Sequence, residues 1–391
     1  MKKLTLALWM AGLLSMSSIA YAQEAKPAAE AAKPADAAAP PADQAIYSIG
    51  GFDLTGHVDL GYTSLSGNGK FNSGVNNRVF DFERNKLKLH AVDLQFTKTP
   101  DAGFGGVIDA TLGKDADVIG AYGLIVDNNF GTGLGKRNAD LTQAYLHYGA
   151  APLTIIAGKF VTLAGAEYIK SPLNTNYSRS ILFGYAIPFT HTGVRATYRV
   201  SDELTVVGGI NQGWDQFKDA NSDKTIELQA AYTPSKTVAL AATVYTGKEN
   251  ASIYGGVSSD KGTRNLIDLL GTFTLNDQTT LVLNFDYGTQ ELSAGKGTWQ
   301  GMAGYVNYAI NDQWKLSFRA EMFDDKDGAR TGIQQKWKEA TLTAAYLPTK
   351  NWELRGELRK DSSDKDAFVD SNGTALKSSQ NSFGIEALYK F

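Results

Sequence analysis

The stretch Phe383-Gly-Ile-Glu-Ala-Leu-Tyr-Lys-Phe391 ends the chain with an apolar side chain at every second position. The intervening residues are polar or small apart from Leu388. Because successive side chains of a β-strand point to opposite faces, the stretch predicts a strand with one apolar and one mostly polar face. A soluble protein gains little from an exposed terminal Phe, whereas a barrel strand in a bilayer gains a lipid contact for every outward ring. The stretch therefore favours a membrane-spanning β-barrel.

Tyr389 and Phe391 carry a second pattern in the same stretch. A final Phe with an aromatic residue two positions earlier resembles the C-terminal signal that marks the last strand of bacterial outer-membrane barrels for assembly. The resemblance implies that Tyr389 and Phe391 form an assembly signal and that the barrel-assembly machinery is a partner.

The first 22 residues predict a secretory signal peptide. Lys2 and Lys3 form a basic start, residues 4–14 are largely apolar, and Ala20-Tyr-Ala22 is a small-x-small cleavage site. A retained membrane helix is disfavoured because the apolar core is too short to span a bilayer comfortably.

Residues 23–46 consist mostly of Ala, Pro, Glu, Lys, Asp and Gln. Such a stretch cannot bury enough apolar surface to offset the loss of chain entropy on folding, so it predicts a disordered periplasmic linker. Residues 47–391 are left as the barrel domain.

Composition excludes several functions. The chain has no Cys, which removes disulfides, thiolate metal sites, Cys nucleophiles and a lipoprotein anchor. Removing Lys2 and Lys3 with the signal peptide leaves 36 of the 38 basic residues against 41 acidic residues, a net charge of −5. Nucleic-acid binding needs a basic footprint, so no nucleic-acid partner is predicted, and no cofactor is predicted either.

Hydropathy limits how the chain can cross a membrane. After the signal peptide no segment approaches 18 consecutive apolar residues, and the mean hydropathy is only −0.24. A barrel fits such values because only every second residue of each strand meets lipid. The 40 Gly, 18 Phe and 18 Tyr suit its turns and its aromatic girdles.

Short turns and long polar loops alternate along the chain. Seven short turns carry Gly, Pro, Asn, Asp or Ser where a hairpin reverses: 99–103, 148–152, 200–203, 233–236, 275–278, 310–313 and 347–351. Polar loops are expected near 65–85, 114–138, 164–188, 215–224, 248–263, 290–298, 324–336 and 361–380. Seven hairpins plus an opening and a closing strand give about 16 strands, so the predicted fold is an all-β, antiparallel, up-and-down transmembrane barrel.

The segment 351–360 shows the strand alternation clearly. One face carries Glu353, Arg355, Glu357 and Arg359. Four charges on one face cannot lie in a dry core, so this face must meet water. The apolar face meets either a protein core or lipid, and the closed strand count and the signal peptide favour lipid.

Two tryptophans are placed where a barrel carries its aromatic girdle. Trp314 and Trp352 directly follow short turns, at the depth of an aromatic girdle. The segment 86–96 alternates less regularly. Val92, Leu94 and Phe96 are expected to face lipid, which turns the residues at 87 and 89 inward, and a β-bulge would fit this break in the pattern.

A barrel of this size encloses a water-filled channel unless something plugs it. Inward charges are predicted at Asp53, His57, Asp59, Asp109, Arg195, Arg199, Glu227, Asp268, Asp286, Lys315, Arg319, Glu321, Glu353, Arg355, Glu357 and Arg359. Such charges can filter ions inside a low-dielectric wall. The alternative is that they are solvated lumen residues paired between neighbouring strands.

The loop 164–188 is rich in aromatic and aliphatic residues for an exposed loop. Apolar loop residues need a place to bury, and the lumen supplies one. An inward fold would place Glu167, Lys170 and Arg179 near a pore constriction. The alternative is an outer lid packed over the mouth.

Four motifs carry a family resemblance: Gly158-Lys-Phe160, Asn176-Tyr-Ser-Arg-Ser180, Pro188-Phe-Thr-His-Thr-Gly193 and Gly213-Trp-Asp215. Together they resemble the OmpL-like family of outer-membrane porins, beta-barrel porin-2, over a likeness that runs from about Gly51 to Phe391. The resemblance implies an outer-membrane pore through which small hydrophilic solutes and ions diffuse passively. The oligomeric state stays open, with a homotrimer among the alternatives.

Three motif matches fail. Gly131–Lys136 lacks the Gly and the Ser or Thr that a phosphate loop needs, and Asp325–Gly328 lacks the first and last carboxylates of a calcium loop. His57 and Asp59 share a strand face but have no catalytic partner in the sequence. A porin is therefore favoured over a closed structural or adhesive barrel, and over an outer-membrane hydrolase.

Overall fold

The computed structural model describes residues 47–124, 138–251 and 259–391, which all belong to one compact unit. The predicted signal peptide (1–22), the predicted linker (23–46) and the phosphate-loop-like stretch (131–136) lie outside the described residues. None of the helices in the described part of the chain is long and apolar enough to cross a membrane.

The described residues are mostly extended, as their alternating polarity predicts. The strands are β1 Tyr47–Ile49, β2 Phe52–Leu65, β3 Gly67–Phe71, β4 Leu87–Lys98, β5 Ala102–Leu112, β6 Ala139–Ala150, β7 Leu153–Val161, β8 Thr190–Arg199, β9 Leu204–Asn211, β10 Thr225–Ser235, β11 Val238–Asn250, β12 Lys261–Asn276, β13 Thr279–Leu292, β14 Gly295–Ala309, β15 Trp314–Asp325, β16 Gln335–Tyr346, β17 Trp352–Ser363, β18 Phe368–Asp370, β19 Leu376–Lys377 and β20 Ser379–Lys390. A short helix, α1, spans Ala116–Ile119.

Sixteen of these strands, β2, β4–β17 and β20, form a closed antiparallel barrel. The first and last barrel strands close it, since β2 pairs with β4 on one side and with β20 on the other. The Phe391 N–H donates to Gly56 O at 2.9 Å, and the Gly56 N–H donates to Phe391 O at 2.7 Å. The predicted all-β barrel of about 16 strands is confirmed.

All seven predicted short turns connect barrel strands at one end of the barrel, which we call the turn end. The opposite end, the loop end, carries the longer connections. One predicted loop is wrong: 290–298 is a tight turn, because β13 continues to Leu292 and β14 starts at Gly295. Gly295 has φ +129°, a conformation that glycine adopts without strain.

The outer surface of the barrel is apolar, as the alternation predicts. On β15, Phe318 and Met322 are 46% and 45% exposed, whereas the intervening Arg319 is fully buried inside. Near the turn end, Trp314 stacks on Tyr346 with ring centroids 4.7 Å apart. The Trp352 and Tyr389 rings are tilted against each other with centroids 5.1 Å apart, so both tryptophans belong to an aromatic girdle at this end.

The expected orientation of Leu87 and Leu89 is wrong. Both side chains are exposed on the outer face, at 74% and 43%, and the later apolar residues Val92, Leu94 and Phe96 are half-buried on the same face. The β2–β4 register shifts between Asp59 and Leu60, which marks a β-bulge in this segment. One extra residue in β4 resets the alternation, so two out-of-phase apolar runs both reach lipid.

The loops at the loop end pack against one another instead of standing in solvent. The first loop and the last loop join in a small sheet, where β18 pairs with β3 and β19. An apolar cluster inside the barrel includes Trp299, Phe323 and Trp337 from the wall and the segment 181–187 from a loop. The described loops therefore fill much of the lumen at this end.

Candidate functional site

The loop 162–189 between β7 and β8 folds into the lumen, as predicted, and the outer-lid alternative is wrong. Ile181, Leu182, Phe183, Tyr185 and Phe189 are each 2% exposed or less. The loop contains a π-helical turn, Leu182–Ala186, and a 3₁₀ turn, Ser171–Leu173. Its apolar residues are buried inside the barrel, whereas an exposed loop would leave them in water.

The barrel wall makes room for the π-helical turn. Gly301 faces the lumen, and a Cβ there would lie 2.7 Å from Leu182 Cδ1, so a larger residue would push the loop away. The Trp299 Nε1–H donates to Ala186 O at 3.1 Å, which satisfies the buried indole.

Wall carboxylates hold the loop backbone. Glu321 accepts from the N–H groups of Ile181, at 2.7 Å, and Leu182, at 3.1 Å. Glu357 accepts from the N–H groups of Tyr177, at 2.8 Å, and Ser178, at 3.1 Å. These two predicted lumen charges therefore pair backbone donors that would otherwise be buried without partners.

The three predicted lumen arginines on β15 and β17 hold loop carbonyl groups. Arg319 donates to Ser178 O at 2.7 Å, Arg355 to Asn174 O at 2.7 Å, and Arg359 to Arg179 O at 2.6 Å. Each arginine also pairs with wall carboxylates: Arg319 with Glu339 at 3.1 Å, Arg355 with Glu353 at 2.8 Å and Glu386 at 2.9 Å, and Arg359 with Asp361 at 2.8 Å. Such pairing offsets the cost of burying these charges.

Arg179, predicted at the constriction, is a clamp inside its own loop. Its guanidinium donates to the carbonyl oxygens of Tyr168 at 2.9 Å, Ile169 at 2.6 Å and Tyr177 at 2.9 Å, and to Ser171 Oγ at 3.1 Å. The bonds to Tyr168, Ile169 and Ser171 tie together the two arms of the loop.

Glu167 and Lys170, the other predicted constriction residues, reach opposite walls. Glu167 pairs with Arg319 at 2.7 Å. Lys170 Nζ lies 2.7 Å from Asp93 Oδ1 and 3.0 Å from Asp109 Oδ2. Burial lowers the pKa of Lys170, but the carboxylates of Asp109 and Asp93 raise it more, so the net shift is upward and the ammonium stays charged.

The remaining predicted lumen charges differ in burial. Arg195 is buried against Glu227, with Nε 2.7 Å from Oε1, and its guanidinium lies 4.2 Å from the Phe160 ring centroid. Arg199 and Lys315 lie on the inward parity of their strands but are exposed at the turn end. They line the rim rather than the narrow part of the lumen.

Between the loop and the barrel wall lies a cavity that is partly open to solvent. One side is polar, with Gln95, Asp109, Gln143 and Lys170. The other side is apolar and includes Ala231, Ala239, Ala241 and Leu270. The sequence prediction missed the glutamines because it considered only charged inward residues, although their strand parity would have found them.

The segments that carry the family resemblance meet at the base of the loop. Asp215 accepts from the N–H groups of Phe189, at 2.8 Å, and Thr190, at 2.9 Å. Phe160 lies 6.5 Å from the His191 ring, and Asn176 donates to Thr343 Oγ1 at 2.7 Å. These motifs therefore build the connection between loop and wall.

The calcium-loop-like stretch Asp325–Gly328 begins a turn that its first carboxylate stabilises. The Asp325 carboxylate accepts from the N–H groups of Arg330 and Thr331 within its own turn. No group of three His, Cys, Asp or Glu side chains placed to hold a metal ion occurs among the described residues.

The family described as "Putative beta-barrel porin-2, OmpL-like" matches residues 51–391. The chain belongs to this family. No curated protein matches this chain. Since the family match covers almost all of the described chain, the barrel is placed in the bacterial outer membrane.

Solved structures share the fold at low identity. The outer membrane channel DcaP of Acinetobacter baumannii has a TM-score of 0.58 at 16% identity, over 89% of this chain and 100% of that one. OmpT of Vibrio cholerae, in its trimer form, has a TM-score of 0.58 at 14% identity, over 87% and 99%. An anion-selective porin from Comamonas acidovorans has a TM-score of 0.58 at 10% identity, over 87% and 99%.

Proposed function

We propose that this member of the porin-2 family is an outer-membrane diffusion channel for small hydrophilic solutes and ions. The observation that carries the proposal is the closed barrel with a charged inner wall, narrowed by a loop that is fixed inside it. A fixed narrowing within a low-dielectric wall selects solutes by size and charge.

The loop 162–189 forms the narrowing in this proposal, with distinct roles for the three predicted residues. Lys170 lines the cavity and contributes the positive charge of the loop there. Glu167 links the loop to Arg319 of the wall, and Arg179 keeps the loop's shape.

Conductance measurements in planar bilayers test both the channel function and the role of the loop as its narrowing. We expect ohmic steps from the purified, folded protein. Arg179→Ala removes four hydrogen bonds inside the loop, so the steps should become larger or noisier and the reversal potential in a salt gradient should move. Arg199→Ala, at the exposed rim, is the matched control and should leave both unchanged.

Two results would contradict the proposal. Folded protein that never conducts would exclude a diffusion channel. Unchanged conductance and selectivity in Arg179→Ala would exclude the loop as the narrowing.

The apolar cluster at the loop end favours a second function, a structural or adhesive barrel with a closed lumen. Trp299, Phe323 and Trp337 are fully buried among loop residues there. Absence of conductance together with saturable binding of the loop surface to a partner would support this alternative.

The chain is also proposed to have no enzymatic activity, since its family and fold are those of channels. Turnover of lipid or peptide that disappears in His57→Ala would overturn this statement.

We further propose a homotrimer whose contacts lie on the wall formed by β7, β8 and β9. These strands have only 9, 10 and 8 residues. Eight residues tilted by about 45° cover roughly 19 Å, less than the ~25 Å apolar band of an outer-membrane barrel. Oligomerisation is one way to relieve such a mismatch, and OmpT of V. cholerae, which shares the fold, has a structure described as a trimer form.

A further inference from the structure

We propose that the cavity beneath the loop binds organic cations, in particular a primary ammonium group on a short aliphatic body. The inference rests on the proposed channel function and specifies its preferred solute class. Three features of the cavity support it: its net charge, two unpartnered acceptor oxygens and its apolar wall.

The first feature is the charge balance. Lys170 Nζ shows how an ammonium binds here, because it contacts Asp93 Oδ1 at 2.7 Å and Asp109 Oδ2 at 3.0 Å. When both carboxylates are ionised they outnumber the ammonium by one, and His57, whose Nδ1 lies 3.6 Å from Asp93 Oδ1, is the other titratable group beside them. The neighbouring Lys159–Asp140 pair, at 3.1 Å, adds no net charge. One further cation would balance the cluster, whereas an anion would be repelled.

The second feature is a pair of buried acceptors. Asp109 and Gln229 both line the cavity and are 0% and 5% exposed. Asp109 Oδ1 and Gln229 Oε1 have no hydrogen-bond partner among the residues that the structure describes. A buried acceptor without a donor is costly, so a solute that brings N–H donors would recover that free energy.

The third feature is the apolar side of the cavity. Leu163, Leu173 and Phe189 of the loop segment and Leu270 of β12 line it together with alanines of β10 and β11. An aliphatic body would be desolvated against these side chains, which a strongly hydrated inorganic ion cannot exploit. Ammonium recognition on one side and apolar contact on the other match an alkylammonium ion.

Isothermal titration calorimetry on the detergent-solubilised, folded protein tests binding directly. n-Butylammonium should bind saturably, whereas n-butyrate and 1-butanol at equal concentrations should not. Asp109→Asn should weaken butylammonium binding by about tenfold or more, since a hydrogen bond to a charged group is worth at least that factor. Gln229→Met should weaken it by about threefold or more.

A third variant should change the affinity for butylammonium in the opposite direction. Lys170→Met removes the ammonium that already occupies the cluster, so it should strengthen butylammonium binding. A merely structural role of the cluster predicts weaker binding in all three variants. Asp286→Asn is the matched control, because Asp286 is a buried lumen carboxylate outside the cavity lining.

Folding is checked for each variant by the heat-dependent shift of the barrel in gel electrophoresis. Equal heats for butylammonium and butyrate, or unchanged affinity in folded Asp109→Asn, would overturn the inference. A protein that conducts salt but fails this binding test keeps the proposed channel function. A protein that binds butylammonium but never conducts loses the channel function and keeps the binding site.

Discussion

At the residue scale, Gly56 shows how closely β2 packs against β4 and against Phe391. A Cβ at this position would lie 2.2 Å from Asp93 O and 2.8 Å from the Phe391 ring. No real Cβ tolerates the contact with a backbone oxygen, so a side chain here must separate β2 from a neighbour. The terminal ring therefore packs where only glycine fits.

Gly56→Val should impair barrel closure for this reason. We expect a smaller heat-modifiable fraction after refolding and a lower temperature of conversion to the unfolded band. Gly356→Val is the control, because a Cβ at Gly356 would meet nothing within 4 Å. Equal folding of the two variants would mean that β2 does not pack against Asp93 of β4 and Phe391 as tightly as the structure shows.

Single-residue orientation could be predicted from the sequence wherever the alternation is unbroken. Arg319 and Glu321 point inward as their parity predicts. Their partners could not be predicted, since the loop amides and carbonyls that they bind are 140 and 141 positions away in the chain. Leu87 and Leu89 were predicted on the wrong face, because the position of the bulge depends on how β4 pairs with β2.

At the element scale, the loop 162–189 depends on carboxylates of the wall. Replacing Glu321 and Glu357 together by Ala leaves four loop N–H groups without acceptors. Each unpaired buried group costs about 1–3 kcal/mol, so the loop should leave its inward position.

The Glu321→Ala/Glu357→Ala double variant should conduct more current per channel. Trypsin should also cut it faster after Lys170 or Arg179, which are enclosed in the native loop. Glu291→Ala removes an exposed carboxylate near the loop end and should behave like the unmodified protein. A double variant with native conductance and native protease resistance would show that apolar packing alone holds the loop.

The elements themselves were predictable to different degrees. All seven turns contain Gly, Pro, Asn, Asp or Ser, whose own backbone and side-chain preferences favour chain reversal. The small sheet of β3, β18 and β19 escaped prediction, since its strands have 5, 3 and 2 residues and form only when distant loops meet. The apolar content of 164–188 predicted burial but not the π-helical turn.

At the scale of the whole molecule, the count of about 16 strands followed from the number of short turns. The filling of the loop end did not follow, because it depends on which loops meet inside the barrel. Trp299 and Trp337 alternate like lipid-facing residues of other strands, yet both point into the lumen. Only the tertiary structure separates the two cases.

The short wall of β7–β9 leads to a prediction about assembly. If partner subunits cover this wall, Val194→Arg should abolish the trimer, because an arginine would be buried at a protein contact without a partner. Leu342→Arg, on β16, should cost the folded barrel about 2–4 kcal/mol at mid-membrane depth yet leave the oligomer intact. Val194 and Leu342 are 46% and 49% exposed in the single chain, and both lie four or five residues from the turn end. Native mass spectrometry in detergent measures the oligomer mass of each variant. A monomeric unmodified protein would exclude the trimer. Equal oligomer masses for the two variants would place the subunit contact on another wall.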